Sequence, residues 1–185
     1  MSLGRLMLGA DPGLGGAIAL VDGVTGALVA VEDMPCDEVE RNGKKKREVS
    51  AARLAAIVRA WQGVGSSLEA TVEKVGAMPE QGVSSVFSFG FSAGLLNGTL
   101  TALGVPLTYV TPQAWKRLSG ARKGKDGARQ RACALWPERA AWFKRKKDHG
   151  RAEAALIAWT AVLMPRNIGA LPSYVEPEVA AELPA

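Results

Sequence analysis

Five residues of this chain have types and spacings suited to holding a hard cation: Asp11, Glu73, Asp148, His149 and Glu153. Asp11 closes a short apolar run, Arg5 to Ala10, and Glu73 closes another, Leu68 to Val72. Both runs read as strands, so each carboxylate stands where a strand ends. Two carboxylates at neighbouring strand ends raise each other's proton affinity, and a divalent cation removes that cost. His149 and Glu153 lie four residues apart on a predicted helix and share a face. Asp148 stands just before them, at or near the N-cap. Glu153 interrupts an alanine-rich apolar stretch, which is odd for an acid unless something cationic meets it.

Each residue also has a plainer role. Asp11, before Pro12 and Gly13, can simply open a turn. Glu73 can pair with Lys74 or a distant base, Asp148 can do no more than cap, and His149 can be a surface residue. Glu153 can bridge to Arg151 or to another arginine. The combination is stronger than its parts because of what surrounds it. From Lys116 to Arg151 the chain holds 13 Lys or Arg against three acids, a balance of +10, while the rest carries −5. A second basic cluster, Lys44 to Arg47, falls in a stretch read as a polar loop. Such polarity suits a polyanion, nucleic acid first; the alternative is a solvated basic face. Acids beside such a patch would repel phosphate, and metal ions reconcile the two. A pair of them about 3.5–4 Å apart activates water and stabilises the leaving oxygen in phosphodiester hydrolysis.

The elements that must position these groups follow from periodicity and turn residues. Arg5–Ala10, Ala17–Val21 and Ala27–Val31 read as an antiparallel meander, with tight-turn chemistry in "DGVTG" from Asp22 to Gly26. Cys36 to Val49 shows no apolar periodicity and is expected to be a mobile loop. Ser50 is a plausible cap for a helix carrying Leu54, Ile57, Val58 and Trp61. Leu68–Glu73 is the fourth strand, followed by loop to about Gly82. Ser84 or Ser85 is expected to cap a helix to about Leu103, and Val105–Val110 to form the fifth strand. Gly90, Gly94 and Gly98 fall four residues apart: either a smooth stripe for the sheet or a second subunit, or a helix break near Gly90. A short helix around Trp115, one over Gly127–Trp136 and a last one over His149–Met164 complete the order β-β-β-α-β-α-β-α-α. That order predicts an α/β domain with a five-stranded mixed sheet, spatial order 3-2-1-4-5, over residues 1–165. Residues 166–185, rich in Pro, Ala and Glu, are expected to be a partly disordered tail.

Two cysteines, Cys36 and Cys133, lie far apart outside any CxxC pattern and read as reduced thiols of a cytosolic protein. No apolar run of membrane-spanning length and no signal peptide is read, so a membrane partner is not expected.

Four blocks, "LMLGADPGLGGAIALVD", "VEKVGAMPEQGVSSVFSFGFSAG", "PLTYVTPQAWKR" and "KKDHGRAEAALIAW", resemble in order and spacing the RuvC-like Holliday junction resolvases, notably the short phage and prophage versions. The likeness runs from about Leu6 to Trp159. It implies an RNase H-like fold, a homodimer, and symmetric metal-dependent nicking of four-way DNA junctions with 5′-phosphate ends, in the cytoplasm of a bacterial or phage-infected cell. It also implies that Asp11, Glu73 and Glu153 ligate Mg²⁺ or Mn²⁺. Where many relatives carry a further acid, three or four residues before the last one, this chain has Gly150 and His149. His149 is the better fourth ligand, with Asp148 as substitute, and imidazole favours Mn²⁺ over Mg²⁺. Lys116, Lys123, Lys125, Arg145, Lys146 and Lys147 are the expected phosphate contacts. Phe87, Phe89 and Phe91 either stack on unpaired bases or lie in the core.

Three other readings compete. The first block also looks like the phosphate loop of actin and sugar-kinase ATPases, but a second such loop is missing, so no nucleotide cofactor is expected. A proofreading-type exonuclease would want an acid where Gly13 stands. A non-catalytic DNA-binding protein would not need the three acids together.

Overall fold

The computed structural model describes residues 3–41, 43–74, 76 and 82–164. The expected tail, and most of the loop after Glu73, lie outside those residues. Strands β1 (Leu3–Asp11), β2 (Ala17–Asp22) and β3 (Leu28–Asp33) form the meander. Asp22 shapes its second turn: its carboxylate accepts the N–H groups of Val24 (2.9 Å) and Thr25 (2.7 Å), which lowers its proton affinity, and Gly26 takes a positive φ of 72°.

Residues 36–49 correct the expected loop. They form a two-stranded antiparallel hairpin, β4 (Cys36–Arg41) with β5 (Lys44–Val49), separate from the main sheet. Its cross-strand partners are charges, Glu38 opposite Arg47 and Glu40 opposite Lys45, with an ion pair from Lys45 to Glu38 at 3.5 Å. Opposite charges across a ladder substitute for the apolar alternation usually sought in a strand.

Helix α1 (Ala51–Gln62) is capped by Ser50, whose Oγ accepts the Arg53 N–H at 3.4 Å, and buries Leu54, Val58 and Trp61. Strand β6 (Gly65–Glu73) runs parallel to β1, and β7 (Leu107–Val110) parallel to β6. Between them, α2 (Val83–Ala102) is continuous through Gly90 and starts at Gly82 with no side-chain cap, so neither Ser84 nor Ser85 caps it. A Cβ on Gly90, Gly94 or Gly98 would meet nothing within 4 Å, so the glycine stripe does not face the sheet. Then come α3 (Pro112–Ser119), α4 (Lys125–Leu135), two 3-10 turns (Pro137–Phe143 and Lys146–Asp148) and α5 (His149–Leu163).

The sheet order is β3-β2-β1-β6-β7, the expected arrangement once the hairpin strands are numbered. Alternation sorts its two faces. Leu6, Leu8 and Ala10 of β1, with Leu68, Ala70 and Val72 of β6, join one apolar cluster with Leu54, Val58, Leu96 and Leu100 of α1 and α2. The opposite face carries Gly9, Asp11 and Glu73, and there α5 lies. The approach is close: a Cβ on Gly9 would come within 2.2 Å of the Ala154 carbonyl oxygen and 2.3 Å of the Ala158 nitrogen. The alanines of α5 follow from that contact, since a larger side chain would hold the helix away from β1.

Candidate active site

Parallel pairing of β1 and β6 runs through Ala10 opposite Val72, so the next residues on each strand, Asp11 and Glu73, end side by side. Their side chains fall on the α5 face at the carboxyl ends of two adjacent central strands, where open α/β sheets place their sites. The turn after Asp11 then returns under α5. A Cβ on Gly150 would lie 2.5 Å from the Gly15 carbonyl oxygen, and one on Gly16 would lie 2.0 Å from that of Asp11. These glycines let the first turn of α5, with His149 and Glu153, close over the strand ends.

The electrostatics record the result. Burial pushes the Asp11 carboxyl well above the usual carboxylate range, and the charges of Glu153 and Glu73 push it further, while Lys116 opposes them. The charges of two acids distant along the chain thus reach Asp11 at one sheet edge. Glu73 also accepts a hydrogen bond from the indole N–H of Trp115, at 2.7 Å. Among the described residues no group of three His, Cys, Asp or Glu side chains is already gathered closely enough to hold a metal ion. The donor set nonetheless suits a hard divalent cation: oxygen ligands whose mutual repulsion a positive charge would relieve.

Asp148 keeps different company. It stands at the N-cap position of α5 but makes no side-chain cap bond to that helix. Its carboxylate, 2% exposed, accepts the Arg145 N–H at 2.8 Å and pairs with the Arg145 guanidinium at 2.8 Å. Although burial pulls the other way, these bonds hold Asp148 below the usual carboxylate range. Nearby, Arg151 grips Asp33 at the end of β3 through two bonds of 2.5 and 2.8 Å, fastening the first turn of α5 to the sheet. His149, half-buried, is one helical turn from Glu153.

The expected DNA contacts divide. Lys123, Lys146 and Lys147 are exposed, and Lys116 is half-buried beside Asp11. Arg145 is exposed but engaged by Asp148; the side chain of Lys125 lies outside the described ones. Phe87 and Phe91 stack with centroids 6.4 Å apart and planes 13° from parallel, lining with Lys46 and Arg47 a hollow of about 290 Å³ between the hairpin and α2. Phe89 faces the other way, toward Gly13 and Leu14, in a second hollow of about 350 Å³. Sequence reasoning missed Trp115 and the hairpin's contribution to this groove. The first lacks a local signal. The second was signalled by Asn42-Gly43, the dipeptide typical of two-residue hairpins.

No protein-family model matches the chain. It is 32% identical over 163 residues to the chloroplastic Holliday junction resolvase MOC1 of Chlamydomonas reinhardtii. That match covers 77% of this chain but 18% of the relative, so the chain spans less than a fifth of that protein. Among solved structures, T. thermophilus RuvC in complex with a Holliday junction substrate superposes with a TM-score of 0.59 at 15% identity, covering 85% of this chain and 93% of RuvC. At that identity the likeness is one of fold. The likeness in sequence is thus to a Holliday junction resolvase and the likeness in architecture to the RuvC fold, and neither match bears on a phage type.

Proposed function

We propose that this chain, with its RuvC-like fold, is an endonuclease that resolves four-way DNA junctions, using divalent cations held by Asp11, Glu73 and Glu153. The observation that carries the reading is the burden of negative charge on Asp11 from Glu153 and Glu73, beside a segment of +10. His149 completes the donor set better than Asp148, whose oxygens are already bonded to Arg145. Mg²⁺ or Mn²⁺, when bound, supplies an activated water and neutralises charge at the scissile phosphate.

The chain's own groups do the rest. Lys123, Lys146 and Lys147 meet the phosphate backbone, and Lys116 sets a positive charge at the edge of the acid cluster. Phe87 and Phe91 offer an exposed stacked platform for unpaired bases, and Lys46 and Arg47 line the same groove. A four-way junction has two-fold symmetry, so a homodimer cutting two strands symmetrically, leaving 5′-phosphates, belongs to this reading. The test is a labelled four-way junction incubated with and without MnCl₂. Paired symmetric nicks, faster in Mn²⁺ than in Mg²⁺, are expected. Random degradation of linear DNA would instead indicate a general nuclease, and tight binding without cutting a non-catalytic junction binder.

A further inference from the structure

Trp115 is fully buried and carries one polar atom, an indole N–H that needs an acceptor. Trp136 shows the ordinary solution: buried too, it donates to the backbone carbonyl of Gly26 at 2.9 Å. Trp115 instead donates to a carboxylate oxygen, Oε1 of Glu73, 42 residues away in sequence, at 2.7 Å. The backbone brings it there. Glu73 pairs with Val110 of β7, and the Lys74 N–H donates to the Val110 carbonyl at 2.7 Å. The Thr111 side chain then caps α3, accepting the Ala114 N–H at 3.2 Å, with Pro112 in the first turn. Only Thr111 therefore separates α3 from the strand that borders Glu73, and the first turn of α3 brings Trp115 to that carboxylate.

We infer that Trp115 is a positioning residue for Glu73: it fixes one carboxylate oxygen through a short hydrogen bond and so aims the other at a divalent cation. The inference rests on the reading of Glu73 as a metal ligand. A ligating carboxylate held by a neutral donor keeps its full charge for the cation, whereas an arginine partner would neutralise it. The indole ring is itself locked by the surrounding apolar cluster, which includes Leu156 and Ile157 of α5, so the donor cannot swing away. Lys116, the next residue, sets its ammonium 5.1 Å from the same indole centroid, and its charge acts on Asp11. Consecutive residues of one short helix thus reach both strand-end acids.

Trp115→Phe removes the N–H and retains an aromatic ring in the core. Titrating the full chain with MnCl₂ without DNA should show affinity weakened about tenfold. The half-saturating MnCl₂ for junction cleavage should rise by the same factor, with kcat at saturating MnCl₂ largely restored and junction binding in EDTA unchanged. Unchanged Mn²⁺ affinity would overturn the inference and leave Trp115 as packing alone. Should Trp115→Phe not fold, the wild-type chain still decides. Its Trp115 indole N–H resonance should move when MgCl₂ is added and stay still under MgCl₂ in Glu73→Gln; a resonance indifferent to MgCl₂ in the wild type overturns the inference. Glu73→Gln also separates the two levels. If it binds Mn²⁺ as tightly as the wild type, the cation site itself is wrong, and the role of Trp115 falls with it.

Discussion

Glu69 and Glu73 sit four residues apart on one face of β6, and each looks across to β1. Glu69 finds Arg5 and makes two bonds of 2.7 Å with its guanidinium. Glu73 ends beside Asp11, an acid whose proton affinity the charges of Glu153 and Glu73 raise. The same strand pair therefore carries a matched charge pair at one level and two like charges four residues further along β6. An acid on a strand is ordinary when a base answers it. Asp11, its proton affinity raised by burial and by two further acids, stands at an electrostatic cost, and such a cost is tolerated where function requires it.

The sharpest way to break the contrast is to neutralise each acid in turn. Glu73→Gln or Asp11→Asn should lower junction cleavage by roughly a thousandfold or more while a gel shift still shows junction binding. Glu69→Gln, with no part in the site, should cleave within about twofold of wild type even if its fold is less stable. Comparable losses at both levels would remove the distinction.

Junction binding should respond to charge far from the acids. Replacing Lys146 and Lys147 together by alanine should reduce the slope of log affinity against log salt by about two, without altering which DNA is preferred. A slope indifferent to the change would detach the basic segment from DNA.

A cation should also stabilise the fold in a pH-dependent way. The proton affinity of Asp11 is raised in the folded chain, so stability is lost as pH rises through its folded value. Saturating MnCl₂ should offset that loss. Thermal melts should show a rise of about 5 °C with MnCl₂ at about pH 8, shrinking toward about pH 5 as protons compete for the same oxygens. Asp11→Asn should abolish the difference.

The smallest effect belongs to an answered acid. Asp33 is held below the usual carboxylate range by its hydrogen bonds with Arg151, so its stabilising share is present at neutral pH and lost as pH falls through its folded value. Asp33 is mostly exposed, with 63% of its side chain open to solvent, so Asp33→Asn should cost only about 0.5 kcal/mol in urea unfolding at neutral pH, and less in acid.

The strand-end acids were legible because strand period, turn residues and one carboxylate coincide at Asp11 and again at Glu73. Glu153 was legible because an acid among alanines is conspicuous, and the structure explains the alanines by the close contact of Gly9 with Ala154 and Ala158. The hairpin was marked only by its turn dipeptide Asn42-Gly43, because its strands are held by charge pairs such as Glu38 with Lys45 and a search for apolar alternation passes over them. Asp148 reads as a ligand or a cap for α5, but its carboxylate turns back on Arg145, a contact no spacing rule distinguishes from capping. The three phenylalanines are separated by simple geometry: on α2, Phe87 and Phe91 are one turn apart and stack, while Phe89 points across the helix. Trp115 is the case no local pattern reveals, since its partner is 42 residues away.

Asp11, Glu73 and Glu153 are proposed to share a cation. Diffraction from crystals soaked in MnCl₂, collected where manganese scatters anomalously, tests it most directly. An anomalous peak is expected about 2.1–2.3 Å from carboxylate oxygens of all three residues, lost in Glu73→Gln. Manganese bound elsewhere, or no peak at this sheet edge under saturating MnCl₂, would contradict it.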